Sequence, residues 1–175
     1  MTAIVFMGVA GCGKSSLAIG VARELALPLI EGDDFHPQEN QEKMHNGIAL
    51  TDADRKGWLE ALGAQLAAHP GGVVLTCSAL KRAYRDLLRS YSPGLRFVFL
   101  DLDRDAALQR VAGRGAAHFF SPKLVDSQFA TLERPDAEAG VLKVNATDPL
   151  QQLVAQVLDW LAARDDRRRA PASTR

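Results

Sequence analysis

Five short apolar runs punctuate the chain, at residues 3–7, 27–30, 73–77, 95–100 and 141–144. Each is too short for a typical helix and is unbroken or nearly so, as in a strand covered on both faces. Between them the apolar positions shift to helical spacing. Residues 16–25 carry such a face, and residues 38–44 read as a short helix ended by Asn46-Gly47. Thr51-Asp52-Ala53-Asp54 resembles a capping box, opening a helix with Trp58, Leu59, Leu62 and Leu66 on one side. Further helices are predicted around Tyr84, Leu87 and Leu88, and from about Asp103 through Leu108 and Val111. Ser121-Pro122 reads as an N-cap followed by proline at the first helical position, leading into Leu124, Val125, Phe129 and Leu132. Asp148-Pro149 opens a last helix through Leu150, Leu153, Val154, Val157, Leu158 and Leu161. Strands alternating with helices predict an α/β fold: a three-layer parallel sheet with helices on both faces.

The expected organisation is a single domain over residues 1–163, with residues 164–175 as a solvated, disordered tail. The chain has 175 residues, enough for a substantial core. Its formal net charge of zero gives no bulk attraction to nucleic acid or an anionic membrane. No apolar run approaches the ~20 residues of a membrane span, and Met1-Thr2 leads straight into the first apolar run without room for a signal peptide. Two cysteines, Cys12 and Cys77, fit a reduced cytoplasmic chain better than a disulfide framework.

The chemistry begins between the first apolar run and the first helix. Gly8, four residues, then Gly13-Lys14-Ser15 is the phosphate-cradling Walker A pattern, and strand–loop–helix is the context it requires. The glycines at 8, 11 and 13 let the backbone bend and approach phosphates closely. The amides of Gly8, Val9, Ala10, Gly11, Cys12, Gly13, Lys14, Ser15 and Ser16 would then converge on ATP phosphates, helped by the helix N-terminus. Lys14 would set a cation between the β- and γ-phosphates, and the Ser15 hydroxyl would serve Mg²⁺.

Other candidates are less specific. Glu31-Gly32-Asp33-Asp34-Phe35-His36-Pro37 follows the second run, where ligands sit in open α/β sheets. It reads equally as a metal or substrate-hydroxyl site and as an acidic turn capping the next helix. Many phosphate-loop proteins end another strand with an aspartate for Mg²⁺; here Thr76-Cys77-Ser78 has no carboxylate, and Asp33 is the nearest replacement by position. Arg55 lies in a first helical turn, where the helix dipole disfavours cations; it has an anion-binding task or is surface charge. Lys81 and Arg85 share a helix face and either address a substrate anion or are solvated. Arg114, between two glycines, is either a lid cation for phosphoryl transfer, with the lid at about residues 113–123, or part of a flexible basic loop.

Together these residues resemble the gluconokinase family of small phosphate-loop kinases. The matching pieces are Met7-Gly8-Val9 through Ser15, Gly32-Asp33 with His36-Pro37, Asn40 with Glu42-Lys43-Met44, and Gly47 with Leu50, Asp52, Asp54-Arg55 and Trp58-Leu59. Cys77-Ser78-Ala79-Leu80-Lys81, Tyr84-Arg85-Asp86, His118-Phe119-Phe120, Gln128-Phe129 and Leu132-Glu133 with Pro135 complete them, so that only the tail lies outside. The resemblance implies a nucleoside-monophosphate-kinase-like fold with a mobile lid, and phosphorylation of D-gluconate by ATP with Mg²⁺. It also implies a cytoplasmic homodimer. On the same basis Asp33 positions the acceptor hydroxyl, Arg55 and Lys81 receive the gluconate carboxylate with Arg85 as a further candidate, and His36 and Gln128 contact the sugar acid. Arg114 is then the lid cation, and the adenine lies near Arg110 and residues 145–149. The rivals are a shikimate kinase of the same fold and a nucleotide-dependent switch; no guanine-reading Asn-Lys-x-Asp motif supports the latter.

Overall fold

A computed structural model describes residues 2–113 and 121–169. Its sheet holds β1 (Ala3–Met7), β2 (Leu29–Glu31), β3 (Val73–Thr76), β4 (Arg96–Asp101) and β5 (Val141–Asn145), in the order β2-β3-β1-β4-β5. The strand pairings among the described residues are all parallel, with Ala3 opposite Val73, Ile4 opposite Arg96, Leu29 opposite Val74 and Phe97 opposite Val141. The helices are α1 (Lys14–Leu25), α2 (Gln38–His45), α3 (Asp52–Ala68), α4 (Arg82–Tyr91), α5 (Arg104–Ala112), α6 (Pro122–Thr131) and α7 (Leu150–Arg169). A 3-10 turn, Gly32–Phe35, follows β2.

The two-residue period of a strand divides the core into two layers. Ile4 and Phe6 pack with α1, α5 and α7 residues such as Leu17, Val21, Val111 and Val157. Val5 and Met7 face the other way, onto Trp58, Leu59 and Leu62 of α3 and Leu88 of α4. The expected three-layer architecture is therefore present, and both covered faces explain why the strands read as continuous apolar runs.

The start of β2 and the end of the last helix differ from the sequence reading. β2 begins at Leu29 rather than at residue 27, because α1 is still closing there. Ala26 is left-handed at φ 51, and Leu27 donates to the Ala22 carbonyl, a Schellman-type ending. The last helix runs through Arg169, past residue 164 where the tail was expected to start; arginine is a good helix former and cations suit a helix C-terminus. Residues 170–175, the rest of that tail, lie outside the described residues. The Thr51 capping box forms as expected, with Thr51 Oγ1 accepting from the Asp54 amide and Asp54 accepting from the Thr51 amide.

Candidate active site

Chain turns at the carboxyl ends of β1, β2 and β3 surround a cleft of about 420 Å³. Its first wall is the loop joining β1 to α1. Gly8 sits there at φ 145, and a side chain on it would meet the Leu100 carbonyl at 2.9 Å, so only glycine lets the loop turn so close to β4. Ala10, Gly11, Gly13, Lys14, Ser15 and Ser16 line the cleft. The Lys14 ammonium lies across the loop, donating to the Gly8 and Val9 carbonyls at 3.1 and 3.2 Å. Cys12 is buried behind the loop, and Cys77 is buried at the end of β3, where desolvation pushes its thiol up to about 12. Both are free.

The carboxylate next to the loop is Glu31. Its Oε2 accepts from Ser15 Oγ at 3.0 Å and from Thr76 Oγ1 at 2.6 Å. The register explains this: Glu31 stands opposite Thr76 on paired parallel strands, so the two side chains share a face. A carboxylate from the strand next to β3 thus stands beside Ser15, with Thr76 bonded to it. Position along the chain pointed to Asp33; the strand pairing puts Glu31 beside Ser15 instead. The approach of the two strands is so close that a Cβ on Gly32 would lie 2.0 Å from the Thr76 carbonyl oxygen. Glu31 stood in the acidic run noted from the sequence, but nothing short of the pairing singles it out.

The opposite wall carries Asp33, His36, Arg55 and Trp58. Asp33 presents a side chain that is 83% exposed. His36 is buried, stacked on the Trp58 ring at 4.1 Å and 15°. Its burial lowers the imidazole pKa to about 4; Asp33 works against the shift and Arg55 adds to it. Arg55 is buried despite its place in the first turn of α3, while its neighbour Lys56 is a surface residue paired with Glu60 at 2.5 Å. The Arg55 hydrogen bonds among the described residues run from Nη1 alone, to the Leu50 carbonyl at 2.8 Å and the Tyr84 hydroxyl at 3.4 Å. A buried guanidinium lining a cleft with donors to spare is suited to a planar anion.

Gln128 of α6 closes the third side, its Oε1 accepting from the Ala10 amide at 2.6 Å. Arg110 of α5 lies beyond the loop and donates to the Gly11 and Ala146 carbonyls at 3.2 and 3.0 Å. It ties the phosphate loop to the turn after β5.

Two predicted residues are used elsewhere. Lys81 donates to both carboxylate oxygens of Asp52 at 2.8 Å, and does not line the cleft. That bond, with a second from Tyr84, holds the Asp52 carboxyl below its usual range. Arg85 is fully buried in the interior. It bonds the Glu138 carboxylate, the Ala79 and Leu80 carbonyls, and the Glu133 carbonyl. Every part of its guanidinium is engaged by protein, so Arg85 is a clamp on the loop after β3 and does not face the cleft. The expectation that it could reach a substrate carboxylate is corrected by this burial. Arg114 and the expected lid core, residues 114–120, lie outside the described residues.

Among the described residues no helix is long and apolar enough to cross a membrane. A family model described as Shikimate kinase matches residues 10–161. The chain is 43% identical over 159 residues to the thermoresistant gluconokinase of Escherichia coli K12, covering 89% of this chain and 90% of that protein. It is 39% identical over 166 residues to a gluconokinase of Gluconobacter oxydans, covering 93% and 92%. Among solved structures, a gluconokinase from Sinorhizobium meliloti superposes with a TM-score of 0.87 at 44% identity, over 95% of this chain and 94% of that one. The APS kinase of Mycobacterium tuberculosis, at 23% identity and TM-score 0.64 over 92% and 98%, shares the fold.

Proposed function

The chain belongs to the gluconokinase family, and from that premise we propose that it transfers the terminal phosphoryl group of ATP to the 6-hydroxyl of D-gluconate, giving ADP and 6-phospho-D-gluconate. The observation that carries the reading is one cleft with a phosphate loop on one wall and Asp33, His36 and Arg55 facing it.

On the donor side, the loop amides and the N-terminus of α1 receive the phosphates, and Lys14 stands among them as the cation. The adenine belongs beyond the loop near Arg110, which already joins Gly11 to Ala146. Ser15 and Glu31 offer a hydroxyl and a carboxylate side by side, the hard oxygen donors a magnesium ion takes. An ion held by them would supply charge neutralisation between phosphate oxygens.

On the acceptor side, Arg55 receives the gluconate carboxylate with its unspent donors, and Lys81 stands nearby through Asp52 and Tyr84. Asp33 holds the acceptor hydroxyl in line and takes its proton late, since an alcohol is a weak acid and orientation contributes more than base strength. Arg114 is assigned as the cation that meets charge on the moving phosphoryl group.

The test is ADP release in a coupled assay with gluconate, related aldonates and shikimate in parallel. Gluconate-dependent release is expected. Turnover of shikimate alone, the acceptor class of the matching family model, overturns the assignment.

A further inference from the structure

We infer that Asn40 and Trp58 are positioning residues that fix His36 as a neutral imidazole with its proton on Nε2, aimed at the carboxylate of Asp33.

Asn40 is buried, at 4% exposed. Its Nδ2 donates to the Asp54 carbonyl at 2.8 Å. A carbonyl only accepts, so this bond settles which end of the side-chain amide is the NH₂ group. The same Nδ2 lies 3.4 Å from His36 Nδ1. Facing a second N–H, Nδ1 has to be the acceptor, and the ring proton belongs on Nε2. The anchor is firm: Asp54 sits in the capping box of α3, and Lys43 of α2 grips its carboxylate at 2.7 Å.

Trp58 fixes the plane of the ring. It stacks on His36 and its Nε1 donates to the Gly32 carbonyl at 2.7 Å, at the start of the turn that carries Asp33. His36 Nε2 then stands 4.0 Å from Asp33 Oδ1. Asp33 is exposed, so side-chain rotation is the movement that would bring its carboxylate within hydrogen-bond reach. The charged groups bordering the ring are Asp33 on its own turn, Arg55 from α3 and, on the opposite wall of the cleft, Lys14 from the phosphate loop. Burial keeps the imidazole uncharged at neutral pH.

The chemical consequence concerns Asp33. An imidazolium would bind the carboxylate with a full charge and weaken it as a proton acceptor. A neutral N–H directs the carboxylate by a hydrogen bond and leaves more of its basicity for the alcohol. This inference rests on the role given above to Asp33, but its first test does not depend on activity.

In ¹⁵N-histidine-labelled full-length protein, His36 is expected to show an unprotonated Nδ1 and a protonated Nε2 at neutral pH. The opposite tautomer, or rapid averaging of the two, overturns the inference whether or not the enzyme accepts gluconate. Asn40→Asp replaces the donor by an acceptor and should move the proton to Nδ1. Gluconate kcat should then fall about tenfold, with the ATP dissociation constant unchanged. A transferred proton with unchanged kcat overturns the positioning role. Should that variant fail to fold, Asn40→Leu removes both donors, and a tautomer unchanged from the parent overturns it equally. Failure of gluconate turnover in the parent protein would remove the kinase reading and leave the tautomer result standing.

Discussion

The amide nitrogen of Ala10 and the side-chain oxygen of Gln128, 118 positions apart in the chain, meet at 2.6 Å. A backbone N–H only donates, so Oε1 is the end of the Gln128 side chain that faces the loop, and the residue also lines the cleft. One side chain thus joins α6 to the loop after β1. Gln128→Leu should destabilise the fold by about 1–2 kcal/mol, by leaving a part-buried N–H without its partner. It should also raise the gluconate KM about tenfold, a change of about 1.4 kcal/mol. Chemical denaturation and steady-state kinetics measure the two effects; an unchanged KM removes Gln128 from the acceptor site.

Lys14→Ala removes the ammonium proposed to meet the phosphates, which here lies across the loop. Turnover should fall about 10²–10³-fold, the loss typical of one preorganised electrostatic contact. The circular-dichroism spectrum and melting temperature should stay near native, because Lys14 is part of the cleft lining and outside both core clusters. Near-native turnover would show that the loop holds phosphate without it.

Asp33→Asn keeps the shape of the side chain and removes its charge. The expected result is a kcat lowered about 10²–10⁴-fold with little change in ATP affinity. Isothermal titration with an ATP analogue, beside steady-state rates, separates the two; loss of affinity without loss of kcat assigns Asp33 to nucleotide binding.

Glu31→Gln leaves β2 intact and removes the charge beside Ser15. The magnesium concentration for half-maximal activity should rise about 10–100-fold, as for loss of a supporting carboxylate. A magnesium titration at saturating ATP gives the answer. An unmoved midpoint would make Glu31 a partner of Thr76 and Ser15 only.

Glu138 pairs with fully buried Arg85 and with Arg89, the latter at 2.8 Å. Burial by itself raises the Glu138 pKa, but the bonds to Arg85 and Arg89 outweigh it and leave the carboxyl below its usual value. A lowered folded-state pKa means stability that is present above the unfolded value of about 4.3. It is lost as pH falls below that value and through the folded one. Glu138→Gln should cost about 3–5 kcal/mol near neutral pH, since it leaves a buried guanidinium uncompensated. The gap from the parent should narrow toward about pH 3. Urea midpoints at the two pH values provide the check, and a gap that widens with acidity contradicts the sign.

Much of the fold was legible because parallel strands covered on both faces need runs such as Val73 to Leu75, and the α3 capping box needs only its own residues. The phosphate loop was legible for the same reason: Gly8, Gly13, Lys14 and Ser15 act within one local turn. Arg55 was flagged by an electrostatic misfit within its own helix, and it does line the cleft. Arg85 carried the same charge at an unremarkable helical position, and only its packing against Glu138 and the Ala79 and Leu80 carbonyls shows that its donors are consumed inside the protein.

By itself, the order of residues determined the alternation of strand and helix, the location of the phosphate loop and the resemblance that names the reaction, since these depend on neighbours in the chain. The tertiary structure decided which carboxylate stands by Ser15, which side chain meets Ala10, and which cations line the cleft. Those outcomes depend on strand register and on contacts across 16 positions for Ser15 and Glu31 and 118 for Ala10 and Gln128. No local pattern encodes such a distance, because a side chain's free donors are known only once every partner around it is in place.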